Sequence, residues 1–227
     1  MVINFGFHWY GLIIGVAILV AFEVSKRYAV FKKIDVKLLE RAFWWVVPMG
    51  IVGARLYHVI DYWDRYYRFD LLKIFYLWEG GLGIWGGIIG GMIGLMIYLY
   101  RFPIRSGMTK WLDICVIGLP LGQAIGRLGN YVNGEIIGRN GEPLFAYEAG
   151  LNLLLFLFLW NFIKNKNMDG MVAGVYFIGY GLIRTLLEYM RPDEIVWKMG
   201  GYPTAVWVSL GAILFGLYLV KVSQKQS

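Results

Sequence analysis

The chain has 227 residues, of which 59% are hydrophobic and only 16% are charged, whereas a typical soluble domain has about 25% charged residues. This composition excludes a soluble globular protein, because the polar surface is too small to face water on every side. The net charge of +7 lies in short segments between apolar runs, which favours anionic membrane lipid over nucleic acid as the partner.

Seven apolar runs are long enough to cross a bilayer as helices, since a hydrocarbon core of about 30 Å requires about 20 residues. They lie at 6–25, 42–62, 81–100, 111–128, 147–163, 171–190 and 203–220. The fourth contains Pro120 and three glycines, which predicts a short, kinked or partly re-entrant span. The aromatic stretch 63–78 is a candidate interfacial helix. We therefore expect an all-α polytopic membrane protein with a single transmembrane domain over residues 1–227.

Lysine and arginine residues in the connections predict the orientation of the chain. Thirteen of them follow the first, third, fifth and seventh spans, whereas seven follow the second, fourth and sixth. The more basic side of a membrane protein is usually cytoplasmic. The N-terminus is therefore expected outside and the C-terminus in the cytoplasm.

A dense polar segment, GRLGNYVNGEIIGR at 126–139, follows the fourth span directly on the predicted outer side. It contains four glycines, two arginines, two asparagines and one glutamate. Glycine permits tight turns and close approach of the backbone to a ligand, so the segment is a candidate ligand-binding loop. Taken alone, such a segment is more often an ordinary polar loop that caps a helix.

Ionisable residues also occur inside the apolar runs, where a charge near the bilayer centre costs about 2.5–3.5 kcal/mol on insertion scales. These residues are Arg55, His58, Asp113, Arg184 and Glu188. Arg184 and Glu188 are four residues apart and share one helix face with Tyr180. This row is either a buried ion pair between helices or one wall of a polar cavity, and both interpretations remain open. Asp113 is expected at a helix terminus near the cytoplasmic side.

The two histidines, His8 and His58, lie near the predicted outer ends of their spans. For either one alone, a hydrogen-bonded interfacial histidine is the simpler interpretation. Their shared side of the membrane keeps a role as general base open. The sequence has no cluster with metal-ligand spacing, no nucleotide-binding loop and no Gly-x-Ser-x-Gly motif. We therefore expect neither a metal nor a cofactor.

Segment 126–139 resembles the signature of the bacterial prolipoprotein diacylglyceryl transferases, and the resemblance extends along nearly the whole chain. Further motifs similar to the family's are His8–Gly11, Gly53–Leu56, Glu79–Leu82 with Gly86-Gly87, Tyr147-Glu148, and Tyr180–Arg184 with Glu188 and Arg191–Asp193. Two departures stand out. The family usually has a histidine before the Gly-Gly pair of its third helix, where this chain has Trp85, and the polar residues that open its last helix are poorly matched at 200–204.

The resemblance implies a multi-pass enzyme of the bacterial cytoplasmic (inner) membrane. It would transfer the diacylglyceryl group of phosphatidylglycerol to the lipobox cysteine thiol in the signal peptide of a preprolipoprotein. A thioether would form and glycerol 1-phosphate would leave. Because the planar guanidinium of arginine can donate two bonds to phosphate oxygens, Arg127 is the first candidate for the lipid headgroup and Arg184 the second.

The resemblance also supplies the remaining candidate site residues. Candidates for binding phosphatidylglycerol, besides the two arginines, are Asn130, Asn133, Gly134, Arg139, Arg55 and Glu188. Candidate catalytic residues, again besides the arginines, are Tyr10, Tyr180, Glu135, His8 and His58. Glu135 is expected to hold Arg127 or Arg139 in place or to bind glycerol hydroxyls, and the two tyrosines are expected near the ester region of the lipid.

Two alternatives to an active transferase remain open. A small transporter would use the intramembrane charges as a polar pathway and would predict repeated halves or paired broken helices, but no self-similar halves are evident. An inactive or diverged lipid-binding member of the family is the other alternative, because Trp85 replaces the usual histidine.

Overall fold

Helices make up most of the chain in the computed structural model, which describes residues 9–102, 107–163 and 168–225. The α-helices of these residues are α1 (Trp9–Phe31), α2 (Val36–Asp61), α3 (Ile84–Arg101), α4 (Met108–Val116), α5 (Leu119–Val132), α6 (Leu144–Phe162), α7 (Met171–Glu188) and α8 (Thr204–Gln224). Two-residue strands, β1 (Lys198–Met199) and β2 (Tyr202–Pro203), pair antiparallel before α8. Within the described residues, seven stretches are long and apolar enough to cross a membrane. The prediction of an all-α polytopic protein is confirmed, and the orientation of the termini stays a prediction.

The helix ends differ from the predicted ends of the apolar runs. Helix α1 continues to Phe31, six residues beyond the predicted end, because side-chain ion pairs support its polar last turns. Glu23 and Lys26 form one such pair at 2.7 Å. Helix α2 begins six residues early, at Val36, because the side chain of Asp35 caps it and accepts the Lys37 N–H at 2.9 Å.

The fourth span is broken, as its proline and glycines predict. It consists of α4 and α5, which are separated at Ile117 and Gly118, and Pro120 occupies the first turn of α5, where a missing N–H costs no helical bond. A side chain at Gly118 would collide with the backbone oxygen of Ala21 in α1. The break therefore lies where α1 packs directly against the backbone.

The described residues form two compact units, one within 33–105 and the other within 1–32 and 106–227. The smaller unit contains α2 and α3, and the larger unit contains α1 and α4–α8. In the larger unit, α5 packs between α1 and α6, and α7 packs between α6 and α8. The prediction of a single transmembrane domain stays a prediction.

Glycines let the two helices of the smaller unit approach each other closely. Gly86, Gly90 and Gly94 are spaced by four residues along α3, and each is buried. A Cβ atom added to Gly90 would lie 3.1 Å from the Cα atom of Gly53 in α2. Lipid tails provide little hydrophobic drive for association, so small residues and backbone contact hold such helix pairs together.

The aromatic stretch between α2 and α3 is not one interfacial helix. It forms three short 3₁₀ turns, Tyr67–Phe69, Leu71–Phe75 and Leu77–Glu79. Asp70 interrupts the first two because its backbone is extended, and its carboxylate accepts the N–H of Leu72 at 3.2 Å. This local hydrogen bond competes with continuation of the helix.

Asp113 does not lie at the end of its own helix. It lies inside α4, is fully buried, and caps a neighbouring helix. Its carboxylate oxygens accept the N–H of Gly170 at 2.8 Å and of Ala173 at 2.7 Å, at the N-terminus of α7. Gly170 has no side chain to serve as the cap, so α4 supplies the acceptor that the first turn of α7 requires.

We expect Asp113→Leu to lower the free energy of unfolding by about 1–3 kcal/mol, because two buried N–H groups lose their acceptors. Asp113→Asn retains one acceptor oxygen and should lose clearly less. The measurement is the unfolding midpoint of both variants in a mild detergent. Equal losses for the two variants would contradict the capping role.

Candidate functional site

A chain of alternating basic and acidic side chains joins three helices of the larger unit. Arg127 of α5 donates from Nη2 to Glu148 of α6, and Nη1 of Arg184 in α7 lies 3.7 Å from the other oxygen of that carboxylate. Nη2 of Arg184 donates to Glu188 at 3.0 Å, and Arg191 lies 3.5 Å from the same oxygen. The three cations and two anions of this ion-pair network leave one excess positive charge, which suits an anionic ligand.

Arg127 belongs to a helix and not to a flexible loop, so the predicted position of the signature segment is partly wrong. Helix α5 continues to Val132, and only the residues after it leave the helix. Gly129 permits close packing here and not a turn, because a Cβ atom at this position would lie 2.8 Å from the Cδ2 atom of Tyr10 in α1. The helix therefore fixes Arg127 relative to the neighbouring helices, and Tyr10 packs against α5 two residues away.

Side-chain amides extend the ion-pair network toward the end of α5. Nη1 of Arg127 donates to Asn130 at 2.9 Å, and the amide nitrogen of Asn130 donates to Glu135 at 2.9 Å. Asn133 donates to the other oxygen of Glu135 at 3.1 Å. Glu135 is thus connected to Arg127 through Asn130, while the direct carboxylate partner of Arg127 is Glu148. The expectation that Glu135 itself holds Arg127 or Arg139 is wrong.

The loop after α5 uses glycine and arginine for structural purposes. Gly134 has a φ of +67°, a conformation that glycine adopts without steric cost just after a helix. The side chain of Arg139 is exposed and donates to the backbone oxygen of Tyr189 at the end of α7. Arg139 therefore ties the loop to α7.

Glu142 stays ionised in this loop. Its carboxylate accepts the backbone N–H of Asn140 at 3.0 Å and the side-chain amide of Asn140 at 2.9 Å. These hydrogen bonds hold the pKa of Glu142 below its ordinary value. Glu142 is consequently a poor general base near neutral pH.

One face of α7 brings Tyr180 beside the arginines. Tyr180 lies one turn before Arg184, and its ring stacks on that of Tyr176 with centroids 5.8 Å apart. Of the two interpretations left open for this row, the 3.0 Å bond between Arg184 and Glu188 favours the buried ion pair. Because Arg184 also approaches Glu148, the pair belongs to a network that links helices.

Comparison with known proteins agrees with this arrangement. Residues 1–222 match the family model described as prolipoprotein diacylglyceryl transferase. The chain belongs to this family. A phosphatidylglycerol–prolipoprotein diacylglyceryl transferase from Finegoldia magna is 33% identical over 96% of this chain and 92% of the relative. Relatives of the same name from Bordetella parapertussis and Streptococcus uberis are each 32% identical, over 93% and 98% of this chain and 90% and 93% of the relatives.

The base of the diacylglyceryl transferase reaction is not identified by the described side chains. The Nδ1 atom of His58 lies 2.9 Å from the Tyr67 hydroxyl, and its ring stacks on Tyr62 with centroids 4.5 Å apart. These contacts lie within the smaller unit. His8 lies outside the described residues. Trp85, at the position where the family usually has a histidine, is the second residue of α3 and is largely exposed.

Arg55 is buried in the smaller unit and holds the 3₁₀ turns between α2 and α3. Its Nε atom donates to the backbone oxygen of Ile74 at 2.9 Å. The two terminal nitrogens donate to the backbone oxygens of Lys73, Tyr76, Gly80 and Gly81. An arginine has five N–H donors, so these five bonds occupy all of them. This favours a structural role for Arg55 over binding of a lipid headgroup.

We expect Arg55→Lys to increase backbone hydrogen exchange across residues 71–81, because three ammonium donors cannot replace five guanidinium bonds. Exchange measured by mass spectrometry in the intact protein tests this. The loop at 133–143, in the other unit, serves as the internal control and should be unchanged. Unaltered exchange at 71–81 would contradict the structural role.

Besides Arg191, the ion-pair network contains one residue that the sequence analysis did not identify as a candidate, Glu148. Its side chain is 2% exposed and lies between two arginines from different helices. The signal was present, because an acidic residue at the second position of the apolar run 147–163 is as costly as the Glu188 that was identified. Sequence alone did not reveal the partner, since α5 and α7 reach Glu148 only in the folded bundle.

Proposed function

We propose that this protein transfers the diacylglyceryl group of phosphatidylglycerol to the lipobox cysteine thiol of a preprolipoprotein. The relatives named for these two substrates span nearly the whole chain. The observation that carries the proposal is the placement of Arg127 and Arg184 on either side of one buried carboxylate. The relatives are all named as transferases, so the transporter alternative is not favoured.

The proposed phosphate site consists of the guanidinium groups of Arg127 and Arg184. Glu148 orients both groups, and each arginine side chain remains about one-fifth exposed, at 23% and 21%. Among the described residues, the buried Nε atom of Arg127 has no hydrogen-bond partner. A phosphodiester has two non-bridging oxygens, so two neighbouring guanidiniums can bind one headgroup and share its charge. Asn130, Asn133 and Gly134 are the proposed neighbours of the glycerol headgroup, while Glu188 orients Arg184.

The proposed reaction is a displacement at the glyceryl carbon that bears the phosphate. The thiol loses its proton, an S–C bond forms, and the C–O bond to the phosphate breaks. Glycerol 1-phosphate then leaves with more negative charge than the diester carried. Bonds from the arginines therefore strengthen along the reaction, which lowers the barrier instead of only binding the substrate.

Three residues are proposed as candidates for the group that accepts the proton of the attacking thiol. A cysteine thiol has an ordinary pKa of about 8.5, so some thiolate exists near neutral pH without a strong base. His8, His58 and Glu135 are the proposed bases, and Tyr10 and Tyr180 are proposed to position the reacting part of the lipid. The loop end of α5 is proposed to face outward from the cytoplasmic (inner) membrane of a bacterium, with the C-terminus in the cytoplasm.

The transfer assay uses the purified protein in phosphatidylglycerol nanodiscs with a synthetic lipobox peptide. We expect the peptide mass to rise by one diacylglyceryl group and glycerol phosphate to accumulate in equal amount. A peptide with serine in place of cysteine and nanodiscs of phosphatidylethanolamine are the controls. A peptide of unchanged mass under these conditions would contradict the proposed function.

A further inference from the structure

A second polar layer lies one helical turn deeper in the bundle than the arginines. Gln123 precedes Arg127 by four residues on α5, and Asn152 follows Glu148 by four residues on the next helix, α6. Consecutive spans run in opposite directions. Gln123 and Asn152 therefore both lie farther from the loop at 133–143 than Arg127 and Glu148 do. The amide nitrogen of Gln123 donates to the Tyr176 hydroxyl of α7 at 3.0 Å. These residues, Gln123, Asn152 and Tyr176, form the deep polar layer.

The deep polar layer contains polar atoms that the protein does not satisfy. Asn152 is 0% exposed, and among the described residues neither its amide nitrogen nor its amide oxygen has a hydrogen-bond partner. The side-chain oxygen of Gln123 is also buried without a partner. A buried amide without a hydrogen-bond partner is unfavourable, and the hydrocarbon region provides no bulk water to replace the bond. A layer of this kind suits a polar partner from outside the protein.

We propose that the deep polar layer binds the ester carbonyl groups of the diacylglyceryl moiety, an inference that rests on the proposed function. Phosphate and esters are attached to carbons of the same glycerol. A lipid with its phosphate at Arg127 and Arg184 therefore places its esters deeper in the membrane. Ester carbonyls accept hydrogen bonds. The unpaired donor of the layer is the amide nitrogen of Asn152, while the Gln123 amide keeps one N–H beyond its bond to Tyr176 and the Tyr176 hydroxyl can donate its own proton.

Two members of the deep polar layer, Gln123 and Asn152, differ in how accessible they are to an entering lipid. Gln123 is only partly buried, whereas Asn152 is fully enclosed by the helices. Gln123 is therefore the member that an entering lipid contacts first. Both amides thus bind the ester groups of the lipid, and the two arginines bind its phosphate.

The test compares phosphatidylglycerol with its diether analogue, which keeps the phosphodiester and the reacting carbon but has no ester carbonyls. We expect the native protein to use the diester with a kcat/KM about tenfold higher, as the loss of one or two hydrogen bonds implies. Gln123→Met and Asn152→Leu remove the amides with little change of size. Each variant should lower the rate with the diester, leave the rate with the diether unchanged, and so reduce the preference.

Asn161→Leu, the same substitution on an exposed position of α6, is the matched control and should keep the native preference. Unfolding midpoints of all variants show whether the bundle is intact. Equal use of both lipids by the native protein would overturn the proposal while leaving the transferase function in place. Equal loss of both rates in the variants would also overturn it, as a purely structural layer predicts. Absence of transfer from either lipid by the native protein would instead contradict the proposed function itself.

Discussion

Replacing Arg127 with alanine is expected to reduce diacylglyceryl transfer by about two to three orders of magnitude, the effect of removing one donor to a developing anion. The reason is that Arg127 is the guanidinium that both Glu148 and Asn130 hold in a fixed position on α5. Glu148 keeps Arg184 as a partner in the variant, so no buried carboxylate is left alone and the protein should remain folded. The measurement is the initial rate of peptide lipidation in nanodiscs.

Arg127→Lys separates the effect of the positive charge at position 127 from the effect of the planar guanidinium donors. A lysine keeps the positive charge but lacks the planar pair of donors that fits a phosphate. We expect this variant to retain part of the lipid affinity and to lose most of kcat. Arg139→Lys, in the loop outside the ion-pair network, is the matched control and should stay within a few-fold of the native rate. Near-normal lipidation by Arg127→Ala would remove Arg127 from the site.

Replacing Glu148 with glutamine is expected to affect both stability and transfer. Its buried carboxylate neutralises parts of two guanidinium groups, and breaking a buried ion pair costs about 3–5 kcal/mol when both partners are buried. The arginines remain about one-fifth exposed, so solvent screening makes the loss smaller than this range. We expect a clear drop in the unfolding midpoint and at least about a tenfold loss of rate from misplacement of the two donors.

Two further variants show whether this effect is specific to Glu148. Glu194→Gln changes an exposed acidic residue beyond α7 and should alter neither the midpoint nor the rate. Glu148→Asp keeps the charge on a shorter side chain, so it should recover more of the stability than of the rate. Unchanged stability and rate in Glu148→Gln would show that the arginines do not depend on the shared carboxylate.

Sequence alone predicted the membrane spans because each run of about 20 apolar residues implies a membrane-spanning helix. It did not predict their ends, which depend on contacts that apolar periodicity does not encode. The Glu23–Lys26 pair lengthens α1, and Asp35 starts α2 early. The role of Asp113 could not be predicted from the sequence either, because Gly170, whose N–H it accepts at the start of α7, lies 57 residues later in the chain.

The candidate site was predicted in part for an equally physical reason. Charged residues in an apolar run are expensive and therefore conspicuous, which is why Arg184 and Glu188 were identified. Arg127 was identified from the polar segment 126–139 and its resemblance to the family signature. Which charges pair across helices depends on the rotation of each helix in the bundle, so the link through Glu148 required the structure. The uncharged amides of Gln123 and Asn152 are less conspicuous. They are distinguished by buried amide atoms, the oxygen of Gln123 and both amide atoms of Asn152, that have no hydrogen-bond partner among the described residues.

Arg55 and Arg127 show the limit of residue type as a guide to function. Both are arginines within apolar runs and both were candidates for the lipid headgroup. The structure gives all five donors of Arg55 to backbone oxygens. Arg127 instead shares its guanidinium with a carboxylate and an amide and keeps an unpaired Nε among the described residues. The two side chains are of the same type, but they differ in the N–H donors that remain available to a ligand.

The most direct measurement is an experimental structure of the protein in a nanodisc with bound phosphatidylglycerol. We expect non-bridging phosphate oxygens within hydrogen-bond distance of the guanidinium groups of both Arg127 and Arg184. A lipid phosphate held by other residues, with these two arginines in contact only with Glu148 and Glu188, would contradict the account.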